Sequence, residues 1–159
     1  MKLDASGLQE TMKMFEQLET KSSEMLEDAV KDGIEVVTDE MRREISSLKT
    51  SDEYQGGNGK RYPNREDVKG LEESLGYTPV KVRGAIINAK AGFDGYNTHT
   101  TKKFPRGHAN QMIANAINKG TSFLIAQPFF NRTKNKSQQD CIDAMQKSLD
   151  RNIKKAEKK

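Results

Sequence analysis

The residues of this chain that could do chemistry are few and far apart. His99 and His108 lie in or beside one polar loop with only Asp94 close in sequence, and a metal ion needs more ligands at useful spacing. Glu72 and Glu73 are adjacent, so on a helix they point in different directions, and no apolar surrounding is evident that would raise either for acid–base work. Cys141 is the only cysteine, which excludes an intramolecular disulfide and a Cys-based metal site. Beside Ile142 on the apolar side of a predicted helix, it reads as a small buried hydrophobe rather than a reactive thiol. Gly56, Gly57 and Gly59 in GGNGK hint at a phosphate cradle. No Ser or Thr follows the lysine, no apolar strand precedes it and no helix opens behind it, so the nucleotide-binding signature is incomplete. No Ser-His-Asp order, nucleophile elbow or HExxH is present. The expectation is a protein that is not an enzyme, without catalytic residues, cofactor or metal.

Two basic clusters remain. Lys60, Arg61 and Arg65 fall in one predicted loop, and Lys102, Lys103 and Arg106 in another, interleaved with Tyr62, Tyr96 and Phe104. Basic side chains among aromatics hold nucleic-acid backbones and stack bases, and they also occur in ordinary wet loops. These six are the candidate contacts to DNA or to a partner.

Composition narrows the class. Only 33% of residues are hydrophobic and 31% are charged, below the usual apolar share of about 45–50%. An elongated helical protein with a modest core fits, as does a subunit that completes its core against partners. Trp is absent, which argues against a large aromatic-lined pocket. No apolar run is long enough to span a membrane, and MKLDASGLQE does not read as a signal peptide, so synthesis in a reducing cytoplasm is expected. The net charge of +4 conceals an asymmetry: residues 1–48 carry 6 Lys/Arg against 12 Asp/Glu, whereas 49–131 carry 12 against 7 and 132–159 carry 9 against 4. Acidic and basic regions of this kind suit head-to-tail self-association, and equally suit helices with solvated charged faces.

The elements that must position these residues follow from periodicity. Residues 7–48 are helical, with Ser6 or Asp4 as cap. Leu8, Met12, Phe15 and Leu18 form one stripe, and Leu26, Val30, Ile34, Val37, Met41, Ile45 and Leu48 a second. Lys21-Ser22-Ser23 either breaks this region into a short and a long helix or bends a single one. Gly33, inside the second stripe, predicts close packing against another backbone. A long polar loop follows at 49–67, of the kind that is functional or mobile. A short amphipathic turn spans Val68–Leu75. Alternation over Tyr77–Arg83 and Ala85–Phe93 predicts a β-hairpin within 76–93, with one wet face. A second polar loop covers 94–107, a helix 108–118 with Gly120 as its stop, and a last helix 128–153 opening at Pro128. The basic tail 154–159 is expected to fray. The fold class is α+β, a small antiparallel sheet packed by a long N-terminal helical region and a C-terminal helix, in a single domain over 1–159.

The order of these elements, from residue 7 to residue 153, resembles a family of phage structural proteins: the minor-tail or tail-completion proteins of the head–tail neck of long-tailed phages. The resemblance is carried by His108-Ala109, Ile113-Ala114, Ile117-Asn118-Lys119-Gly120-Thr121 and Ala126-Gln127-Pro128-Phe129-Phe130, with the Leu71-x-x-Ser74-Leu75 turn before the hairpin. Family members often carry Thr-Gly two residues before that leucine; here Val68 and Lys69 stand in that region and Gly70 is displaced by one. The resemblance implies a virion protein made in the host cytoplasm that acts in tail completion or head–tail joining by ring assembly. Its implied partners are copies of itself, in a hexameric ring, and the neighbouring neck and tail proteins, with packaged DNA passing through the ring. The structural or interface candidates it marks are Ile117, Gly120, Thr121, Pro128, Phe129 and Phe130. The alternatives are the adjacent tail terminator or head-closure ring subunit, and a basic nucleic-acid-binding protein.

Overall fold

The computed structural model describes residues 6–51, 59–84, 86–100 and 102–157, with the side chains of 6–19 and 157 outside the description. In chain order the elements are α1 (Ser6–Ser46), α2 (Arg65–Ser74), β1 (Leu75–Tyr77), β2 (Lys81–Arg83), β3 (Ile86–Asn88), β4 (Ala91–Phe93), α3 (Asn110–Lys119) and α4 (Phe129–Glu157). This is the expected α+β arrangement. Among the described residues no helix is long and apolar enough to cross a membrane.

α1 and α4 form an antiparallel pair. Glu44 meets Arg132 and Lys136, Gly33 lies beside Cys141 and Met145, and Asp32 and Asp28 meet Arg151 and Asn152. Small residues line the seam: Ala29, Gly33, Thr133, Ser137 and Ser148 are all buried. A methyl group on Gly33 would sit 2.7 Å from Met145 Cγ and 3.1 Å from Cys141 Sγ. The close packing expected there is real, although the partners are side chains of α4 rather than its backbone. Burial raises the Cys141 thiol above its ordinary value, in keeping with an unreactive packing role.

Part of the acidic region therefore meets part of the basic region within the chain, through Asp32, Glu40 and Glu44. Glu44 is the centre of that meeting. Its side chain is 4% exposed and is held by Arg132 Nε and Lys136 Nζ, each at 2.5 Å. Burial pushes its carboxyl up, but the bonds and charges of Arg132 and Lys136 prevail and hold it below its ordinary value.

α1 is a single helix through Ser22-Ser23, one of the two arrangements expected there, and four other expectations about the elements need correction. Serine costs a helix only tenths of a kcal/mol, roughly 0.5, and without Gly or Pro beside it nothing ends the run. The loop begun at residue 49 ends early, because Asn64 accepts a 2.6 Å bond from the Asp67 amide and caps α2, with Glu66 and Asp67 in its first turn. α3 starts two residues later than expected, and α4 extends through Glu157, so the tail does not fray at 154–157; Lys154 and Lys155 sit favourably at its negative end. The hairpin is wet on both faces of its outer half, where β2 is fully exposed and Ile86 is 65% exposed. Asp4, the side chain of Ser6 and the glycines Gly56 and Gly57 lie outside what the structure describes.

The hairpin also changes register midway. β1 and β4 pair Leu75 with Phe93 and Tyr77 with Ala91, whereas β2 and β3 pair Lys81 with Asn88 and Arg83 with Ile86. Thr78, Pro79 and Val80 thus lie opposite only Ala89 and Lys90. That extra residue is a bulge, placed where Pro79 has no N–H to give to a ladder. The inner half packs on the core, and Tyr77 ties it to α1 through a 2.8 Å bond to Glu35, whose carboxylate raises the phenol above its ordinary value.

The core lies where the C-terminal half of α1 meets α2, α3, the inner hairpin and the start of α4. Met41, Ile45, Leu48, Val68, Leu71, Leu75, Phe93, Ala114, Ile117 and Phe129 form one buried cluster. Phe129 is completely buried and meets the Phe93 ring edge-on at 6.3 Å and the Phe130 ring at 4.4 Å.

Candidate interaction surfaces

The segment that joins α3 to α4 is a compact corner. Gly120 stops α3 with φ of 75°, and a Cβ there would lie 3.0 Å from both Ala126 N and Ala126 Cβ, so only glycine fits. Thr121 Oγ1 accepts from the Leu124 amide at 3.0 Å and from the Phe123 amide at 3.3 Å, which folds the next residues back. Gln127 donates its amide to Ile117 O at 2.9 Å, and its side chain brackets the Lys49 backbone with two 2.9 Å bonds. Asn118 Oδ1 accepts from the Phe130 amide at 3.0 Å and satisfies one of the free donors in the first turn of α4. Arg61 pairs in parallel with Leu124, through bonds to Phe123 O and from the Ile125 amide. One corner thus fastens the end of α1, the approach to α2, α3 and α4.

Of the residues marked by sequence, Ile117 and Phe129 are completely buried. They hold the corner together and offer no surface to a partner. Thr121, Gly120 and Phe130 are half-buried, and Pro128 is exposed. The side chains that reach outward here are others: Phe123 at the apex is 57% exposed and Met112 on α3 is 54% exposed. Gln127 and Asn118 also went unassigned, although amides flanking a Gly-Thr stop and a Pro-Phe start are the residue types such clamps require.

The two predicted basic clusters lie on different segments, and the loop that carries the second is fastened to the start of α2. Residues 97–108 form a loop with its ends joined, Asn97 N to His108 O at 2.9 Å and His108 N to Asn97 Oδ1 at 2.7 Å. Gly107, with φ of 86°, makes this closure possible, since a Cβ there would fall 2.0 Å from Asn97 O. The loop is fastened to the start of α2: Thr98 to Glu66 at 2.7 Å, Asn97 to Asp67 at 3.1 Å, and His99 beside the Glu66 carboxylate at 3.6 Å. Arg65 opens α2 at this junction, Lys102, Lys103 and Arg106 are carried by the loop, and Arg61 is bonded to the corner at Phe123 and Ile125; all of these and Lys60 are exposed.

Two features lower its fitness for a nucleic-acid backbone. Glu66 and Asp67 stand at the junction and interrupt the positive field. Of the three interleaved aromatics only Tyr96 is exposed; Tyr62 is half-buried under Lys49, and Phe104 leans on the His108 ring at 4.3 Å. His99 has structural company that sequence spacing did not show, because Glu66 and Asp67 come from another element. Among the described residues no group of three or more His, Cys, Asp or Glu side chains is placed to hold a metal.

No family model, curated protein or solved structure matches the chain.

Proposed function

We propose that this chain is a structural subunit of the head–tail neck of a long-tailed phage, acting in tail completion or head–tail joining as one member of a homo-oligomeric ring. The resemblance of the Gly-Thr and Pro-Phe corner and its flanking helices supports this reading. The structural observation that carries it is the presence of two separate outward apolar sites. One is the corner with Phe123 and Met112. The other is the far end of the α1–α4 pair, where Leu26 and Ile153 are exposed. Ile153 lies about 36 Å along α4 from Phe129, at about 1.5 Å per residue. A closed ring of identical subunits needs two different patches on each copy, one meeting the other on its neighbour. A lean core that leaves large apolar side chains at both ends is suited to that arrangement.

Light scattering on the purified protein across a hundredfold concentration range, with and without a short DNA duplex, tests this reading. The expected result is a ring-sized species, or a mass that grows with concentration, already in the absence of DNA. A strict monomer that shifts only on adding duplex would overturn it in favour of nucleic-acid binding.

A further inference from the structure

The register change in the hairpin gathers cations. In an antiparallel ladder directly opposed residues project to the same face, as do residues two apart on one strand. Lys81, Arg83 and Asn88 therefore share a face of the outer hairpin. The bulge brings Thr78 and Lys90 to its edge, and these five side chains alone line a hollow of 190 Å³. All five are exposed.

Every lining group can donate a hydrogen bond, and none is acidic. Thr78 Oγ1 already accepts the Lys90 amide at 3.1 Å, which leaves its own hydroxyl proton to be given outward. Elsewhere among the described residues Arg42, Arg43, Lys69, Arg132, Lys136 and Arg151 all face carboxylates. Lys81, Arg83 and Lys90 form no ion pair among the described residues, and the sequence holds no Asp or Glu from Gly76 to Phe93. Three like charges held on one face repel one another, and nothing in the hairpin offsets them.

We propose that the hollow formed by Thr78, Lys81, Arg83, Asn88 and Lys90 is a binding site for an oxyanion of the phosphate type. A guanidinium offers two parallel donors to such a group, the two ammonium groups supply point charge, and Asn88 and Thr78 complete the set of donors. No aromatic side chain lines the hollow, so recognition is by charge and hydrogen bonding alone and is indifferent to any base attached. The site is distinct from the two basic loops and independent of ring assembly. Its ligand is a phosphate group, either free or in a nucleic-acid backbone.

The test uses inorganic pyrophosphate by calorimetry and a labelled DNA duplex by fluorescence anisotropy over a range of salt. The proteins are the wild type, the triple variant Lys81→Ala/Arg83→Ala/Lys90→Ala, the single variant Arg83→Glu, and the loop variant Lys102→Ala/Lys103→Ala/Arg106→Ala. The wild type is expected to bind pyrophosphate. Both hairpin variants should lose at least about tenfold in affinity while the loop variant keeps it. Their thermal melts should match the wild type, because the altered side chains are exposed; Arg83→Glu keeps the test valid if the triple variant unfolds. If the phosphate is that of a nucleic acid, the slope of log affinity against log salt for the duplex falls by about 0.9 for each cation removed. If it is a free oxyanion, pyrophosphate binding falls and the duplex is unaffected. Absence of binding to both probes, or binding that follows the loop variant instead, overturns the proposal.

Discussion

Replacing Phe129 with alanine is expected to destabilise the protein by about 3–5 kcal/mol, the largest effect of any single substitution in the core. The ring is completely buried and touches Phe93 and Phe130 at the point where α4 leaves the corner. Its removal leaves a cavity among groups that are themselves pinned. Gln127 is bonded to Lys49 and Ile117, and the Phe130 amide to Asn118, so the corner has little freedom to collapse into the space. Urea denaturation of Phe129→Ala against the wild type measures the loss. A change below about 1 kcal/mol would mean that the corner is not the keystone of the fold.

Glu44→Gln should follow closely, at about 3 kcal/mol near neutral pH, because it removes the buried partner of two cations. Arg132 and Lys136 are 39% and 60% exposed and turn to water when freed, which keeps the loss at the lower end of the range for broken buried pairs. The effect carries a pH signature. The folded Glu44 carboxyl lies below its ordinary value of 4.5, so its contribution is whole above 4.5 and is lost as pH falls through the folded value. The stability gap between wild type and Glu44→Gln should therefore be constant from pH 7 to about 5 and narrow below 4.5. A gap that persists unchanged in acid would mean that shape rather than charge holds the seam.

The parts of this fold that were legible in the sequence are those written in local periodicity. The stripe Met41-Ile45-Leu48 on α1, the alternation across the hairpin, the glycine at 120 and the proline at 128 each state their own element. What was not legible depends on partners distant in sequence. Nothing local shows that Glu44 and Asp32 of α1 are met by Arg132, Lys136 and Arg151, so in the sequence these charges count as part of an unmatched acidic region. The bulge arises from the pairing of two strands and changes which side chains share a face, which single-strand alternation does not reveal. Asn64 is of a type that caps helices, but among its neighbouring Gly, Asn and Pro residues it reads as loop. The candidate surfaces divided in the same way: the corner residues were identified by type, but only the three-dimensional arrangement separates Ile117 and Phe129, which are buried, from Phe123 and Met112, which face outward.

The central claim is a head-to-tail ring contact between the corner of one copy and the far end of the α1–α4 pair of the next. It is tested most directly by mixing two variants, Phe123→Asp, which spoils the first patch, and Ile153→Asp, which spoils the second. Both side chains are largely exposed, so each variant should melt as the wild type does. Light scattering should find the wild type larger than a monomer, each variant alone a monomer, and an equal mixture a dimer joined through the one intact pair of patches. Variants that keep the wild-type mass, or a mixture that stays monomeric beside an oligomeric wild type, would contradict this contact.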